Sequence, residues 1–288
     1  MADRRDPPSR PPIERRLSDW AHNHLPAPAY EFLSFGLKMA WASLYAGIML
    51  VLILTTRWLW HPDWPLARYD FLTLAAVGTQ ILLLAFRLET LREAKVILIY
   101  HTVGTVMEIF KLKMGSWAYP EPGWLKLGGV PLFTGFMYAC VGSFMVRAIR
   151  LFDMRFEPYP PFWQTAVLAG AIYLNFFTHH YILDIRYALM AGTLLLFWRT
   201  RIYYRPGHLV LWMPLPLAAF LTSIFLWIAE NVGTWTGTWL YPGQKAFQLV
   251  SLGKLGSWYL LLYLSFVLIT LVHRPRPRGP SFGSSFQG

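Results

Sequence analysis

The feature that most constrains this chain is a succession of apolar stretches separated by short links that carry most of the charge. A helix needs roughly 20 mostly apolar residues to cross a hydrocarbon core about 30 Å thick. On that measure the candidate spans are Leu37–Thr56, Asp70–Phe86, Lys95–Leu112, Val130–Ala148, Phe162–Thr178, Tyr181–Trp198, Leu209–Ala229 and Gly253–Val272. Composition agrees: 55% of residues are hydrophobic and 14% charged, against roughly 25% charged in soluble domains. The expected fold class is therefore all-α: a polytopic transmembrane bundle of about eight spans.

Charge sets the expected orientation. With an even number of spans both ends share a side. The segments on that side (the N-terminal arm, 87–95, 147–155, 199–205 and the tail) hold 17 of the 26 Lys and Arg, and the opposite loops hold 8. Cytoplasmic loops are the cation-rich ones, so both ends are expected in the cytoplasm of a bacterial inner membrane. The net charge of +11 then belongs to loops that face anionic lipid. No basic patch with interleaved aromatics suggests nucleic acid. Cys140 lies inside an apolar run and has no partner in the chain, which excludes a disulfide framework. Nothing in the sequence bears on the oligomeric state.

An internal echo divides the chain. Glu108 is followed after six residues by GSWAYP (Gly115–Pro120), and Glu230 after six by GTWLYP (Gly237–Pro242), an offset of 122 residues. A second pair, LLLAFR (Leu82–Arg87) and LLLFWR (Leu194–Arg199), is offset by 112. The expectation is two parallel four-helix repeats, 31–155 and 156–273. They are flanked by a disordered or amphipathic cytoplasmic arm (1–30) and a disordered cytoplasmic tail (274–288). Copies of four spans insert in the same direction, related by an axis along the membrane normal.

Ionisable groups inside spans are costly and mark functional positions. Glu108 and Glu230 come first, each followed by a Gly/Pro turn bearing Trp117 and Tyr119, or Trp239 and Tyr241. His101 lies two helical turns before Glu108, on the same face. Asn175, His179 and His180, with Asp184, fall at the outward turn after the fifth span. Three readings compete. The carboxylates cap or bridge helices and accept hydrogen bonds from Trp, Tyr or backbone donors, with the His pair a wet loop and the aromatics otherwise interfacial belt residues; or they join the histidines on a metal, although no spaced His motif supports one; or a buried carboxylic acid moves protons. The third makes Glu108, Glu230 and His101 catalytic and assigns Trp117, Tyr119, Trp239, Tyr241, Asn175, His179 and His180 to substrate binding. Both carboxylates are expected in one partly dry cavity on the outer half, with His101 and the Trp/Tyr turns near its mouth. No metal or cofactor is expected. The pair Gly128-Gly129 reads as a helix start.

Glu108, the run Gly115–Ala139 and the run ENVGTWTGTWLYPGQ (Glu230–Gln244) resemble the YoaT-like family of bacterial integral membrane proteins, domain of unknown function 817. The resemblance covers nearly all of 30–272 and implies a membrane location but no activity. The order Glu, Gly-x-Trp-x-Tyr, Gly-Val-Pro-Leu (Gly129–Leu132) is fainter, and similar to membrane carotenoid hydratases and heterodimeric-type lycopene cyclases. That likeness implies cofactor-free protonation of an isoprenoid double bond. The chain departs from the cyclase pattern: Pro131-Leu132-Phe133-Thr134 stands where that pattern has Pro-x-Glu-Glu. The expected function is acid catalysis on an isoprenoid or other lipid. The alternatives are a proton-coupled small-molecule transporter and a structural or partner-binding membrane subunit. The expected partners are membrane lipid and a lipophilic small molecule.

Overall fold

The computed structural model describes residues 23–86, 88–244 and 248–272. The N-terminal arm up to residue 22, Arg87 of the LLLAFR echo and the tail from residue 273 lie outside the described residues. The chain is mostly helical. Helices α1 (Ala27–Ala42), α2 (Leu44–Leu59), α3 (Arg68–Ala85), α4 (Leu91–Lys113) and α5 (Phe133–Leu151) precede α6 (Phe162–Thr178), α7 (Arg186–Phe197), α8 (Leu215–Trp235) and α9 (Leu252–Val272).

Among the described residues two helices are long and apolar enough to cross a bilayer, Leu215–Trp235 and Leu252–Leu271. A third span exists if the bent pair α1 and α2 counts as one. Large side chains on outward faces, among them Leu74, Ile81, Leu98, Leu174, Leu195 and Phe225, are exposed. Apolar faces of this extent are what lipid contact requires and water penalises.

The first expected span, Leu37–Thr56, is not one straight helix. It breaks at Ser43, and the two pieces meet at 66°. The cause is local tethering of α1. The Glu31 carboxylate accepts hydrogen bonds from the backbone N–H of Gly207, His208 and Leu209, and Lys38 Nζ donates to the Arg205 carbonyl at 2.8 Å. These bonds fix α1 against a loop that α2 does not reach.

Three other segments differ from expectation. Tyr181–Trp198 contains a helix of 12 residues that starts only at Arg186, because Asn175 and Asp184 hold the preceding turn through Ile185 N–H and Arg186 N–H. Helix α8 runs Leu215–Trp235, six residues later than the seventh expected span Leu209–Ala229, because Leu211–Pro214 forms a strand. Helix α5, the fourth expected span, starts at Phe133 rather than Val130, since Val130–Pro131 is a strand. Gly128 and Gly129, both at positive φ, make the turn of the hairpin β1 (Lys126–Leu127) and β2 (Val130–Pro131) rather than a helix start.

A second small sheet interrupts the all-α expectation. It pairs β3 (Arg155–Glu157), β4 (Arg201–Tyr204) and β5 (Leu211–Pro214) antiparallel, with Phe156 opposite Ile202 and Ile202 opposite Met213. Its buried face closes the largest core, where Phe152, Phe156 and Phe197 meet Tyr263, Phe266 and Val267 of α9. At the same end a buried ion pair ties α5 to the link before α4. Arg147 Nε stands 3.2 Å from Glu89 Oε1, and neither side chain is exposed. Ser143 Oγ and Gln80 Nε2 also donate to Glu89, while the Arg147 guanidinium donates to the Trp41 carbonyl.

Candidate functional site

Each Glu of the repeated motif sits near the C-terminal end of its helix, and the chain turns back over it in the same way. Ser116 N–H bonds to the Lys111 carbonyl and Gly115 N–H to that of Leu112. Thr238 and Gly237 N–H bond to Gly233 and Thr234 at the same offset, all four at 3.0 Å. Gly115 and Gly237 both stand at φ +66°, the left-handed conformation that glycine supplies most readily at a helix C-terminus. The reversal brings the Trp and Tyr back onto the carboxylate. Trp117 Nε1 and Tyr119 OH donate to Glu108 Oε2 at 2.7 and 2.5 Å. Trp239 Nε1 donates to Glu230 Oε1 at 2.9 Å, and Tyr241 OH donates to the same atom.

The two motifs also bind each other. Ala118 and Leu240, equivalent positions, pair as an antiparallel bridge with N–H to carbonyl distances of 2.9 and 3.0 Å. The rings of Trp117 and Tyr241 meet edge to face, 6.0 Å between centroids. Arg68 secures the junction from α3: buried, it donates to Thr238 Oγ1, Thr56 Oγ1 and the Ile53 carbonyl, and pairs with Glu121 at 2.7 Å. Tyr69 OH adds a bond to the Thr238 carbonyl. Glu108 and Glu230 are both buried and line one cavity of about 880 Å³. Its walls are otherwise largely apolar and run past Phe144, Met145 and Leu226 to Phe35 and Met39 of α1.

The bonds restrict where a proton can reside. An indole N–H only donates, so Glu108 Oε2 is an acceptor. Tyr138 OH lies 2.7 Å from Glu108 Oε1, and a protonated Glu108 therefore carries its proton on Oε1, facing Tyr138. The aromatic residues are thus hydrogen-bond donors to buried carboxylates, as the reading of Glu108 and Glu230 as acceptors from Trp and Tyr expects.

The other expected residues divide. His179 lines the cavity, and His180 stacks beside it with ring centroids 4.2 Å apart. Lys111 Nζ lies 3.1 Å from His179 Nε2 and 2.8 Å from His180 Nε2. His179 Nδ1 faces the Asn175 carbonyl at 2.8 Å; the ring therefore carries its proton on Nδ1 and accepts from Lys111 through Nε2. Burial, opposed by the Asn175 bond and reinforced by the Lys111 charge, holds His179 below the usual imidazole range. Burial and then Lys111 do the same for His180. Asn175 is structural: its amide binds Asp184 and Ile185 N–H. Among the described residues no three His, Cys, Asp or Glu side chains converge as metal ligands. His101 does not line the cavity, contrary to its expected place at the mouth. Its ring packs on Phe136, 4.3 Å between centroids, because the face it shares with Glu108 turns against α5.

Sequence reasoning missed Tyr138, Lys111, Lys254 and Arg186. Lys254 Nζ sits over the rings of Tyr241 and Trp117, at 4.2 and 5.0 Å from their centroids, a favourable cation–π geometry. Those rings thus already hold a cation. The spacing Glu-x6-Gly-x-Trp-x-Tyr carries no trace of it. The only available signal was a Lys two residues into an apolar run.

The family model described as "Protein of unknown function (DUF817)" matches residues 31–266. The uncharacterized protein YoaT of Bacillus subtilis (strain 168) is 39% identical over 252 residues, 87% of this chain and 95% of the relative. No solved structure matches.

Proposed function

We propose, from the premise that the chain belongs to the DUF817 family of proteins of unknown function, that it is a multi-pass membrane protein which admits a lipophilic molecule into its cavity and acts on it by proton transfer. The observation that carries this reading is the pair of buried carboxylates at the polar end of an otherwise apolar cavity. A buried acid fixed by two or three donors is positioned as a general acid or base. In the hydratase-like form of the chemistry, a Glu proton passes to one alkene carbon. Water then adds to the other carbon and returns a proton to the carboxylate. With Lys254 already over Trp117 and Tyr241, stabilisation of the carbocation falls to the carboxylates.

Helices α2 to α5 and α6 to α9 are read as two groups of four spans, with α7 completed by the non-helical residues before it. The identical turns after Glu108 and Glu230 and the Ala118–Leu240 pairing support a duplication with a local two-fold axis. Arg150, Arg155, Arg201 and Arg205 gather at the end opposite the carboxylates, and with the cation count they favour cytoplasmic termini in the inner membrane. Reporter fusions after residue 20 and after residue 274 are both expected to report cytoplasm. Opposite sides would mean a miscounted span.

A second reading has a specific observation in its favour. A proton-coupled transporter places its site where two repeats meet, and here the motif copies pair at the carboxylates. Lipid mass spectrometry on cells with and without the gene tests the enzyme reading. A hydrated or cyclised lipid that appears only with the gene is the expected result, and an unchanged lipidome removes catalysis from the proposal.

A further inference from the structure

The donors and acceptors around the cavity are not balanced. The carboxylates already have donors, three on Glu108 and, on Glu230 Oε1, Trp239 and Tyr241. The cations are less well matched. Lys111 gives two of its three N–H groups to His179 and His180, and otherwise lies 4.3 Å from the Phe176 ring centroid. The Lys254 ammonium has ring faces but no hydrogen-bond acceptor or ion-pair carboxylate among the described residues. Arg186 binds Asp184 through Nε and Ser257 weakly, at 3.4 Å, through Nη1, which leaves Nη2 open.

These three side chains come from α4, α7 and α9 and line the same cavity. Lys254 also stands in the first turn of α9, whose N-terminal residues Ser251 and Gly253 line the cavity. The N-terminus of a long helix favours an anion. Among the described residues Glu230 and Glu108 take no hydrogen bond from Lys254. The open valences are therefore N–H donors on positive groups, and a ligand must bring acceptors and negative charge.

Resting on the reading of the cavity as a lipophilic-ligand site, we infer that its natural ligand is an amphiphile with a phosphate monoester headgroup. Lys111, Lys254 and Arg186 hold the phosphate oxygens, and the tail runs along the apolar wall toward Met39 and Phe35. Three cations from three elements suit a compact group of several oxygens and up to two negative charges. The cavity volume suits a ligand of lipid size.

The test uses the full chain purified in an uncharged detergent, with binding read from tryptophan fluorescence, since Trp117, Trp239 and Trp258 line the cavity. The probes are farnesyl phosphate, farnesol and inorganic phosphate. Farnesyl phosphate is expected to bind at least tenfold tighter than farnesol. Inorganic phosphate alone should need far higher concentration, which assigns the headgroup site to a lipid rather than to the free ion. Lys111→Gln and Lys254→Gln should each weaken farnesyl phosphate about tenfold and leave farnesol unchanged. Unchanged farnesol binding also shows that the variants are folded, and Lys254→Arg should keep most of the affinity. Equal binding of farnesol and farnesyl phosphate, or variants indifferent to the charge, overturns the headgroup assignment and leaves the apolar cavity reading standing. Binding of neither probe overturns both. Inorganic phosphate as tight as farnesyl phosphate overturns the lipid and points to an anion site.

Discussion

Glu108→Gln and Glu230→Gln are each expected to lower the gene-dependent lipid product at least a hundredfold while the protein still accumulates in the membrane. General acid–base catalysis contributes about 10²–10⁴ in rate, and the amide removes the titration without changing shape. The substitution suits the site. At Glu108 the Gln carbonyl still accepts from Trp117 and Tyr119, and its NH₂ can donate to the Tyr138 hydroxyl that faces Oε1. A fold defect would therefore be small, and loss of product reports on the proton. Membrane immunoblots and lipid mass spectrometry on the same cultures make the comparison. Full product from both variants would reduce the pair to helix-end structure.

Much of this site was legible in the sequence because its main spacing is local. The Glu, the Gly turn and the Trp and Tyr lie within eleven residues, and a helix ended by a left-handed glycine returns the chain over the last turns of that same helix. Two copies of that pattern were enough to single out Glu108 and Glu230. What was not legible depends on distant packing. Tyr138 reaches Glu108 from 30 residues away, and Lys111 meets His179 across 68. His101 shares a helical face with Glu108, yet that face is wide enough to divide between the cavity and α5. The fold was legible on the same terms. Phe162–Thr178 matched residue for residue because Pro161 and the His pair bound it. The first span was misread because a tether from Glu31 to residue 207 has no local sign.

Arg147→Met is expected to destabilise the protein by about 3–5 kcal/mol, the usual cost of leaving one partner of a buried ion pair alone. Among the described residues Glu89 would keep Ser143 and Gln80 as donors, and its side chain has no exposed surface through which water could compensate. Glu89→Leu should cost as much, since the buried guanidinium then loses its counter-charge. The double variant, with both charges gone, should recover a large part of the loss, because apolar groups of similar volume replace buried pairs well. Thermal unfolding of the detergent-solubilised protein would show single-variant midpoints lower by roughly 10 °C and a double variant nearer the parent. Singles that melt with the parent would mean the pair contributes nothing.

Position 233 matches position 111 at the motif offset, and the two have opposite evolutionary latitude. At 233 the Trp239 indole fills the space a side chain would enter, so even a β-carbon collides with the ring. Any drift away from glycine there would push Trp239 off Glu230. At 111 a lysine reaches past the Phe176 ring to the histidines. Two near-identical helix ends thus inherit unequal futures. One is frozen as scaffold, and the other is free to acquire new chemistry without disturbing its own carboxylate. In a set of related sequences, variation should therefore be scarce at 233 and concentrated at 111, 179 and 180, where a change of ligand would be written.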